Sequence, residues 1–126
     1  MNFLRSIAHV VWMAVTVIPW ALFVVVISYF VSSTRLYWIC AGWLRLAVNS
    51  GTHILGIENR IQGMDNLPQG SKDPAVLLVK HQSTWETFVM PVIMPHPLAY
   101  VFKKELLNVP FFGWAMGRLD IIHIDR

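Results

Sequence analysis

A histidine and a carboxylate five residues apart are the side chains of this 126-residue chain most suited to chemistry. His81 follows the apolar run 75–79, and Glu86 lies in the polar stretch after it. On one continuous helix the two would lie about 140° apart and could not meet. If His81 occupies the turn before a helix that contains Glu86, the carboxylate can face one imidazole nitrogen and leave the other free to accept a proton. The alternative is a surface histidine beside a glutamate that the helix N-terminus favours.

The elements that would position this pair begin after residue 50, where a soluble α/β domain is predicted. Four strands are predicted from apolar runs, at 53–62, 75–79, 98–102 and 121–124. A helix is predicted over 83–90, capped by Ser83 or Thr84 with Glu86 in its first turn, and a helical stretch over 106–116 around Pro110. The segment 63–71 consists of turn residues. Strands alternating with helices predict a mostly parallel sheet. Because the chain stops on a strand with no helix after it, we expect an N-terminal fragment of a longer domain.

The first 50 residues predict hydrophobic helices that anchor the chain in a membrane. The 24 residues at 7–30 contain one titratable side chain, His9, and as a helix would reach about 36 Å, more than the roughly 30 Å of a bilayer core. The run is too long for a signal peptide, and Pro19 favours a kink, so the segment either crosses the bilayer or bends within one leaflet. A second helix is predicted over about 34–48, with Ser33 or Thr34 as its N-cap. It either lies in the headgroup region or packs on the catalytic domain.

Composition narrows the classes of partner. Hydrophobic residues make up 56% of the chain and charged residues 13%, against roughly 25% charged in soluble domains. The net charge of +3 comes from few, scattered basic residues, which favour anionic lipid and predict no nucleic-acid partner. Cys40, the single cysteine, is interpreted as a small buried apolar residue. The histidines show no zinc-ligand spacing, so no metal is predicted.

The stretch 80–87, Lys-His-Gln-Ser-Thr-Trp-Glu-Thr, resembles the first conserved block of the 1-acyl-sn-glycerol-3-phosphate (lysophosphatidic acid) acyltransferases. That block reads Asn-His-Gln-Ser followed by Asp, so Lys80 replaces the common Asn and Glu86 the usual Asp. Three further stretches are similar to the family in the same order. They are the turn 63–68, the Lys-Lys-Glu-Leu and Pro-x-x-Gly stretch within 102–114, and 121–126, which ends in Ile-Asp-Arg after Asp120 in place of Gly. The family's Phe-Pro-Glu-Gly-Thr-Arg block would lie beyond Arg126.

The resemblance implies transfer of a fatty acyl group to the sn-2 hydroxyl of lysophosphatidic acid, from acyl-CoA or acyl-carrier protein and without a cofactor. His81 would be the general base, Glu86 would orient it, and Arg126 with Lys103 or Lys104 would bind the substrate phosphate. It implies an anchor over 1–50, the first part of a glycerolipid acyltransferase domain over 51–126, and a bacterial inner-membrane location with the catalytic domain cytoplasmic. A related enzyme with another acceptor, such as glycerol-3-phosphate or a lyso-aminolipid, and a non-catalytic membrane-anchored module remain the alternatives.

Overall fold

The computed structural model describes residues 2–67 and 74–125, and two long helices form its N-terminal part. Helix α1 spans Asn2–Ile27 and continues through Pro19, and helix α2 spans Ser33–Ser50. Both predicted hydrophobic helices are therefore confirmed. The predicted cap of α2 is wrong, because its N-cap is Ser32, whose extended backbone lets its carbonyl accept the Leu36 N–H at 2.9 Å. No side-chain bond caps this end, so the backbone geometry of the turn sets the start of α2 and not a hydroxyl group.

Helices α1 and α2 pack side by side in opposite directions and form the core. Three polar contacts run along their shared face. His9 Nε2 lies 3.0 Å from Ser50 Oγ, the Trp43 indole donates to Thr16 Oγ1 at 3.1 Å, and the Trp20 indole donates to the Ile39 carbonyl at 3.2 Å. The buried apolar side chains of the described residues belong to these two helices, and they are Ala21, Val24, Leu36, Tyr37, Ala41, Trp43, Ala47 and Val48.

The opposite face of α1 is apolar and exposed. Its members recur at helical spacing and include Leu4, Val11, Val15, Ile18, Leu22 and Val26. By length and composition α1 is the one helix among the described residues that is able to cross a membrane, over Phe3–Ile27.

The strand predicted over 53–62 is wrong. Helix α2 runs on into a π-helical turn, Gly51–Leu55, which ends at Gly56 with φ 74°. That left-handed conformation suits glycine and stops the helix. The residues after it, 57–63, have no regular secondary structure, and Gly63 (φ 77°) opens a short 3-10 helix, Met64–Asn66, within the predicted turn. The rest of that turn, 68–71, lies outside the described residues.

The strand predicted over 75–79 is also wrong. Residues 74–82 have no regular secondary structure, and the side chains of Val76 and Leu78 are 88% and 96% exposed. An apolar run becomes a strand only where another strand accepts and donates its backbone hydrogen bonds. In the described part of the chain, the two strands that exist pair with each other.

The two C-terminal strands confirm a parallel arrangement on a small scale. Strand β1, Val101–Lys103, pairs in parallel with β2, Ile122–Ile124, with Val101 opposite Ile122. Both lie inside or next to the predicted runs, although each is only three residues long. The fold is thus α/β, with the helices dominating.

The predicted helix over 83–90 is confirmed as α3, Thr84–Ile93. The predicted helical stretch around Pro110 is two pieces, a 3-10 helix over Lys104–Asn108 and the short helix α4, Phe112–Met116. Phe111 separates them with φ 64°, and the Phe112 N–H donates to the Pro110 carbonyl at 2.7 Å. This three-residue turn is a strained conformation for a residue with a side chain.

Candidate active site

The N-terminus of α3 is closed by a reciprocal capping box. Ser83 has an extended backbone, and its hydroxyl accepts the Trp85 N–H at 3.2 Å. In return the Glu86 carboxylate accepts the Ser83 N–H at 2.8 Å and the Ser83 hydroxyl at 3.0 Å. The Gln82 N–H adds a longer contact at 3.3 Å. The sequence Ser-Thr-Trp-Glu has this capping pattern, so local hydrogen bonding fixes the start of the helix and holds the carboxylate against its first turn.

His81 lies in the turn before this helix and faces the same carboxylate. Its Nδ1 is 3.5 Å from Glu86 Oε2, and the two side chains are 67% and 29% exposed. That separation exceeds an ordinary N–H···O hydrogen bond, so the contact is electrostatic until the imidazole turns slightly toward Glu86. Dyads in unliganded sites commonly tighten only when substrate binds. With Nδ1 turned to Glu86, the Nε2 atom is the nitrogen available to accept a proton.

Hydrogen bonding keeps the Glu86 carboxyl group ionised. Partial burial by itself raises the pKa of this group, but the hydrogen bonds outweigh it and lower the pKa from its ordinary value of 4.5. The donors are the backbone N–H groups of Ser83, Glu86 itself and Gln82, together with the Ser83 hydroxyl. At neutral pH, Glu86 is therefore an anion that attracts a protonated His81 and orients a neutral one.

Two aromatic side chains hold α3 against α2. The ring of Trp85 lies directly over Gly51, the first residue of the π-helical turn that extends α2. One turn further along α3, the rings of Phe88 and Trp43 meet edge to face with centroids 6.2 Å apart. Trp85 also donates its indole N–H to Asn59 Oδ1 at 2.8 Å. Residues 85 and 88 share the face turned to α2, which directs Glu86 away from that contact.

The predicted phosphate-binding residues lie elsewhere in the fold. Lys103 ends β1, and Lys104 begins the 3-10 helix and forms an ion pair with Asp125 at 3.4 Å. Among the described residues, neither lysine makes a hydrogen bond or an ion pair with the histidine or the glutamate of the dyad. Arg126 lies outside the described residues. A shallow groove of about 210 Å³ runs beside the Lys104–Asp125 ion pair. Its lining residues are Lys104, Glu105, Leu107, Asn108 and Asp125.

Comparisons with known proteins identify the family of the chain. A family model described as acyltransferase matches residues 58–126, which is more than half of the chain. The chain belongs to the acyltransferase family.

Two curated relatives are similar to parts of the chain. It is 44% identical over 92 residues to the 1-acyl-sn-glycerol-3-phosphate acyltransferase of Pseudomonas aeruginosa, a match covering 73% of the chain and 34% of that relative. It is 34% identical over 73 residues to the 1-acyl-sn-glycerol-3-phosphate acyltransferase of Saccharomyces cerevisiae, covering 58% of the chain and 23% of that relative. The chain therefore spans about a third or less of the length of these relatives. No solved structure matches it.

Gly113, the last residue of the Pro-x-x-Gly stretch, has a steric role here. A Cβ atom on Gly113 would lie 2.3 Å from the Leu107 carbonyl oxygen and 2.5 Å from that of Leu106. Only glycine lets α4 approach the 3-10 helix so closely, because the obstructing atoms belong to the backbone. The turn at Phe111 leads the chain into this contact, and the 3-10 helix that it supports begins with Lys104.

Sequence reasoning missed two residues of the candidate site, Asn59 and Asp125. The partner of Lys104 follows from the strand register, because Val101 lies opposite Ile122 and the same offset places Lys104 opposite Asp125. A correct register for β1 and β2 would have revealed it. No sequence signal points to Asn59, which lies 26 residues from Trp85 in a segment without regular structure.

The described residues contain no group of three or more His, Cys, Asp or Glu side chains that could hold a metal ion. Cys40 is half-buried and unpaired in α2, and burial raises the pKa of its thiol to about 11.

Proposed function

We propose that the protein transfers a fatty acyl group from acyl-CoA or acyl-carrier protein to the sn-2 hydroxyl of lysophosphatidic acid, which forms phosphatidic acid. The observation that carries the proposal is the approach of His81 Nδ1 to Glu86 Oε2, at 3.5 Å, beside the capped end of α3. Family membership and the activity named for both relatives support the reaction class.

In the proposed reaction, His81 is the general base. Its Nε2 takes the proton of the sn-2 hydroxyl as the oxygen attacks the thioester carbonyl. Glu86 holds the imidazole through Nδ1 and stabilises the imidazolium that forms. The tetrahedral intermediate then collapses, the C–S bond breaks, and the imidazolium returns its proton to the leaving thiolate. Acyl transfer is direct, and no residue of the chain carries the acyl group.

Lys103, Lys104 and Arg126 are the proposed ligands of the substrate phosphate. Lys104 is engaged by Asp125 through an exposed ion pair, and the side chains are 64% and 76% exposed. An exposed pair of this kind contributes little free energy, so a phosphate carrying more charge can displace the carboxylate. We assign the neighbouring groove to the headgroup end of the lysolipid.

Attachment to a membrane is part of the proposal, with residues 1–50 as the anchor and 51–126 as acyltransferase domain. The exposed apolar face of α1 provides the contact, because the other face of α1 is covered by α2. Both the acceptor and the product are lipids, so an attached enzyme reaches them by lateral diffusion. Replacing Val15 and Leu22 together with glutamate should release the protein from phospholipid vesicles in a flotation assay, whereas Thr52→Glu, an exposed polar site, should not. Equal flotation of both variants would rule out this face.

The reaction is tested with the protein expressed from its complete reading frame, in detergent, with oleoyl-CoA and lysophosphatidic acid. We expect phosphatidic acid from the wild type and a loss of at least about 10²-fold in His81→Ala. His53→Ala is the matched control, because His53 is an exposed histidine of the π-helical turn whose ring Nδ1 lies 2.7 Å from the Asn49 carbonyl oxygen. If the wild type is inactive with every acceptor and thioester, the proposed acyltransferase activity is refuted. Activity confined to glycerol-3-phosphate or a lyso-aminolipid corrects the acceptor, and equal activity of His81→Ala refutes the base.

A further inference from the structure

The proposed dyad is exposed and has little structure of its own to hold it. His81 is 67% exposed, and the residues leading to it, 74–80, have no regular secondary structure. Glu86 is fixed to the backbone of the helix N-terminus through the capping box. The orientation of the pair relative to the rest of the fold therefore depends on what holds the first turn of α3.

The side chain next to Glu86 provides such a support. A Cβ atom on Gly51 would lie 2.3 Å from Cη2 and 2.8 Å from Cζ3 of Trp85, so the indole ring rests directly on the backbone at the end of α2. The same turn of α3 contains the backbone N–H of Trp85, which donates to Ser83 Oγ. Trp85 is thus part of the capping box at one end and packed on α2 at the other.

A hydrogen bond limits the rotation of the Trp85 indole ring where it packs on Gly51. The indole N–H of Trp85 donates to Asn59 Oδ1 at 2.8 Å. Indole is a donor only, so the asparagine must present its oxygen. Packing alone allows a ring to slide, whereas packing with one directional bond at the ring edge fixes both its tilt and the helix turn that carries it.

We propose that Trp85 is a positioning residue for the His81–Glu86 dyad. Its indole ring is held by packing against the backbone of Gly51 and by a hydrogen bond to the side chain of Asn59. The inference rests on the proposed function, because positioning has a meaning only for a dyad that works. The hydrogen bonds of Trp85 go to Ser83 and Asn59, so the role proposed for it is indirect. It keeps the first turn of α3, and with it the carboxylate that orients His81, at one angle to the rest of the fold.

Two substitutions remove the bond from opposite sides. Trp85→Phe keeps an aromatic ring packed on Gly51 and loses the indole N–H. Asn59→Ala removes the oxygen that accepts this hydrogen bond, at an exposed position. Asn59→Asp retains an acceptor oxygen, and Trp38→Phe is the control for loss of an indole elsewhere, on α2. The readouts are kcat and KM for phosphatidic acid formation, together with the melting temperature of each variant.

We expect kcat to fall about 10-fold or more in Trp85→Phe and Asn59→Ala, with KM for both substrates within about twofold, since a small misalignment at the reacting groups weakens the chemical step more than binding. The double variant should be no slower than the slower single one, because both remove the same bond. Asn59→Asp and Trp38→Phe should retain wild-type kcat. Unchanged kcat in both bond-breaking variants, or an Asn59→Asp as slow as Asn59→Ala, overturns the inference.

A second measurement separates failure of this inference from failure of the proposed function. The ¹⁵N shifts of the His81 ring report which nitrogen carries the proton, and they need no turnover. With the dyad held, Nδ1 should carry the proton toward Glu86, and Trp85→Phe should move the shifts toward those of the urea-unfolded chain. If the wild type is inactive, the enzyme proposal fails while the shifts still decide the positioning. Shifts identical in wild type and Trp85→Phe refute it.

Discussion

Replacing Gly51 with alanine tests how tightly α3 is seated on the end of α2. Gly51 has helical backbone angles, φ −60° and ψ −42°, so no conformational need requires glycine. By helix propensity alone, alanine would stabilise this position by about 1 kcal/mol. The new Cβ atom, however, would lie 2.3 Å from Cη2 of Trp85. Ordinary carbon–carbon contacts are about 3.5–4.0 Å, so the ring must move by more than about 1 Å.

The two effects have opposite signs, and the clash should win. Forcing extra volume into a packed contact costs about 1–3 kcal/mol, which exceeds the propensity gain over most of that range. The ring is the end of a side chain and could yield, but its bond to Asn59 would break if it moved that far. Gly42→Ala is the matched control within α2, because its Cβ atom would lie at an ordinary 3.5 Å from Cζ2 of Trp20. That variant should keep the propensity gain.

Thermal unfolding followed by circular dichroism, in identical micelles and at one scan rate, measures the difference. Gly42→Ala should melt above Gly51→Ala by about 4–12 °C, taking about 4 °C per kcal/mol for a chain of this size. In a Trp85→Ala background the penalty at position 51 should disappear, because the obstructing ring is gone. Equal melting temperatures for Gly42→Ala and Gly51→Ala would refute the packing of Trp85 on Gly51. A loss of melting temperature in Gly51→Ala that persists in the Trp85→Ala background would refute it as well.

Three further predictions concern other parts of the chain. Gly113→Ala should destabilise the protein more than Gly51→Ala, by melting temperature, because backbone carbonyl groups at 2.3 and 2.5 Å cannot swing aside as a side chain can. Cys40, with a thiol pKa of about 11 against an ordinary 9.0, should react with a disulfide reagent at pH 8 about 10-fold more slowly than the unfolded chain, because its smaller thiolate fraction outweighs the higher nucleophilicity of that thiolate, and equal rates would contradict its burial. Because folding lowers the pKa of Glu86 below 4.5, the stability it contributes is present above that pH and lost as the pH falls through the folded pKa. The melting temperature of the wild type should therefore exceed that of Glu86→Gln at pH 7, with a gap that shrinks below pH 4.5; a constant gap would contradict the assignment.

The sequence was informative where a structure depends on neighbouring residues. The capping box at Ser83 and Glu86 uses residues three apart, and the two long apolar helices need only composition and length. The closeness of His81 and Glu86 follows from the same local signal, because a capped helix start fixes both the turn and the carboxylate. These features were predicted from the printed residues and are present in the structure.

Prediction failed where structure depends on partners far along the chain. The run 75–79 has the composition of a strand, but composition does not supply the neighbouring strand that would pair with it. The segment 53–62 was misread because its apolar clusters fit a helical continuation of α2 as well as a strand, and the left-handed Gly56 decides the end of that helix. The roles of Asn59 and Asp125 were not predicted for the same reason. Each side chain acquires its role from a contact with a residue far along the chain.

The glutamate at position 86, where the family usually has aspartate, has two separable roles. Its carboxylate faces His81, and its length lets it reach back to the Ser83 N–H at 2.8 Å. Glutamine also completes a capping box, so at pH 7 Glu86→Gln should lose only the part of the melting temperature that the charge contributes, while kcat falls at least about 10-fold for lack of the charge that stabilises the imidazolium. Glu86→Asp keeps the charge but is one methylene shorter, so it should lower the melting temperature more than glutamine does and retain more of kcat. If one of these two variants has both the lower melting temperature and the lower kcat, the carboxylate has one role and not two. The contact with His81 would then be a consequence of the helix cap.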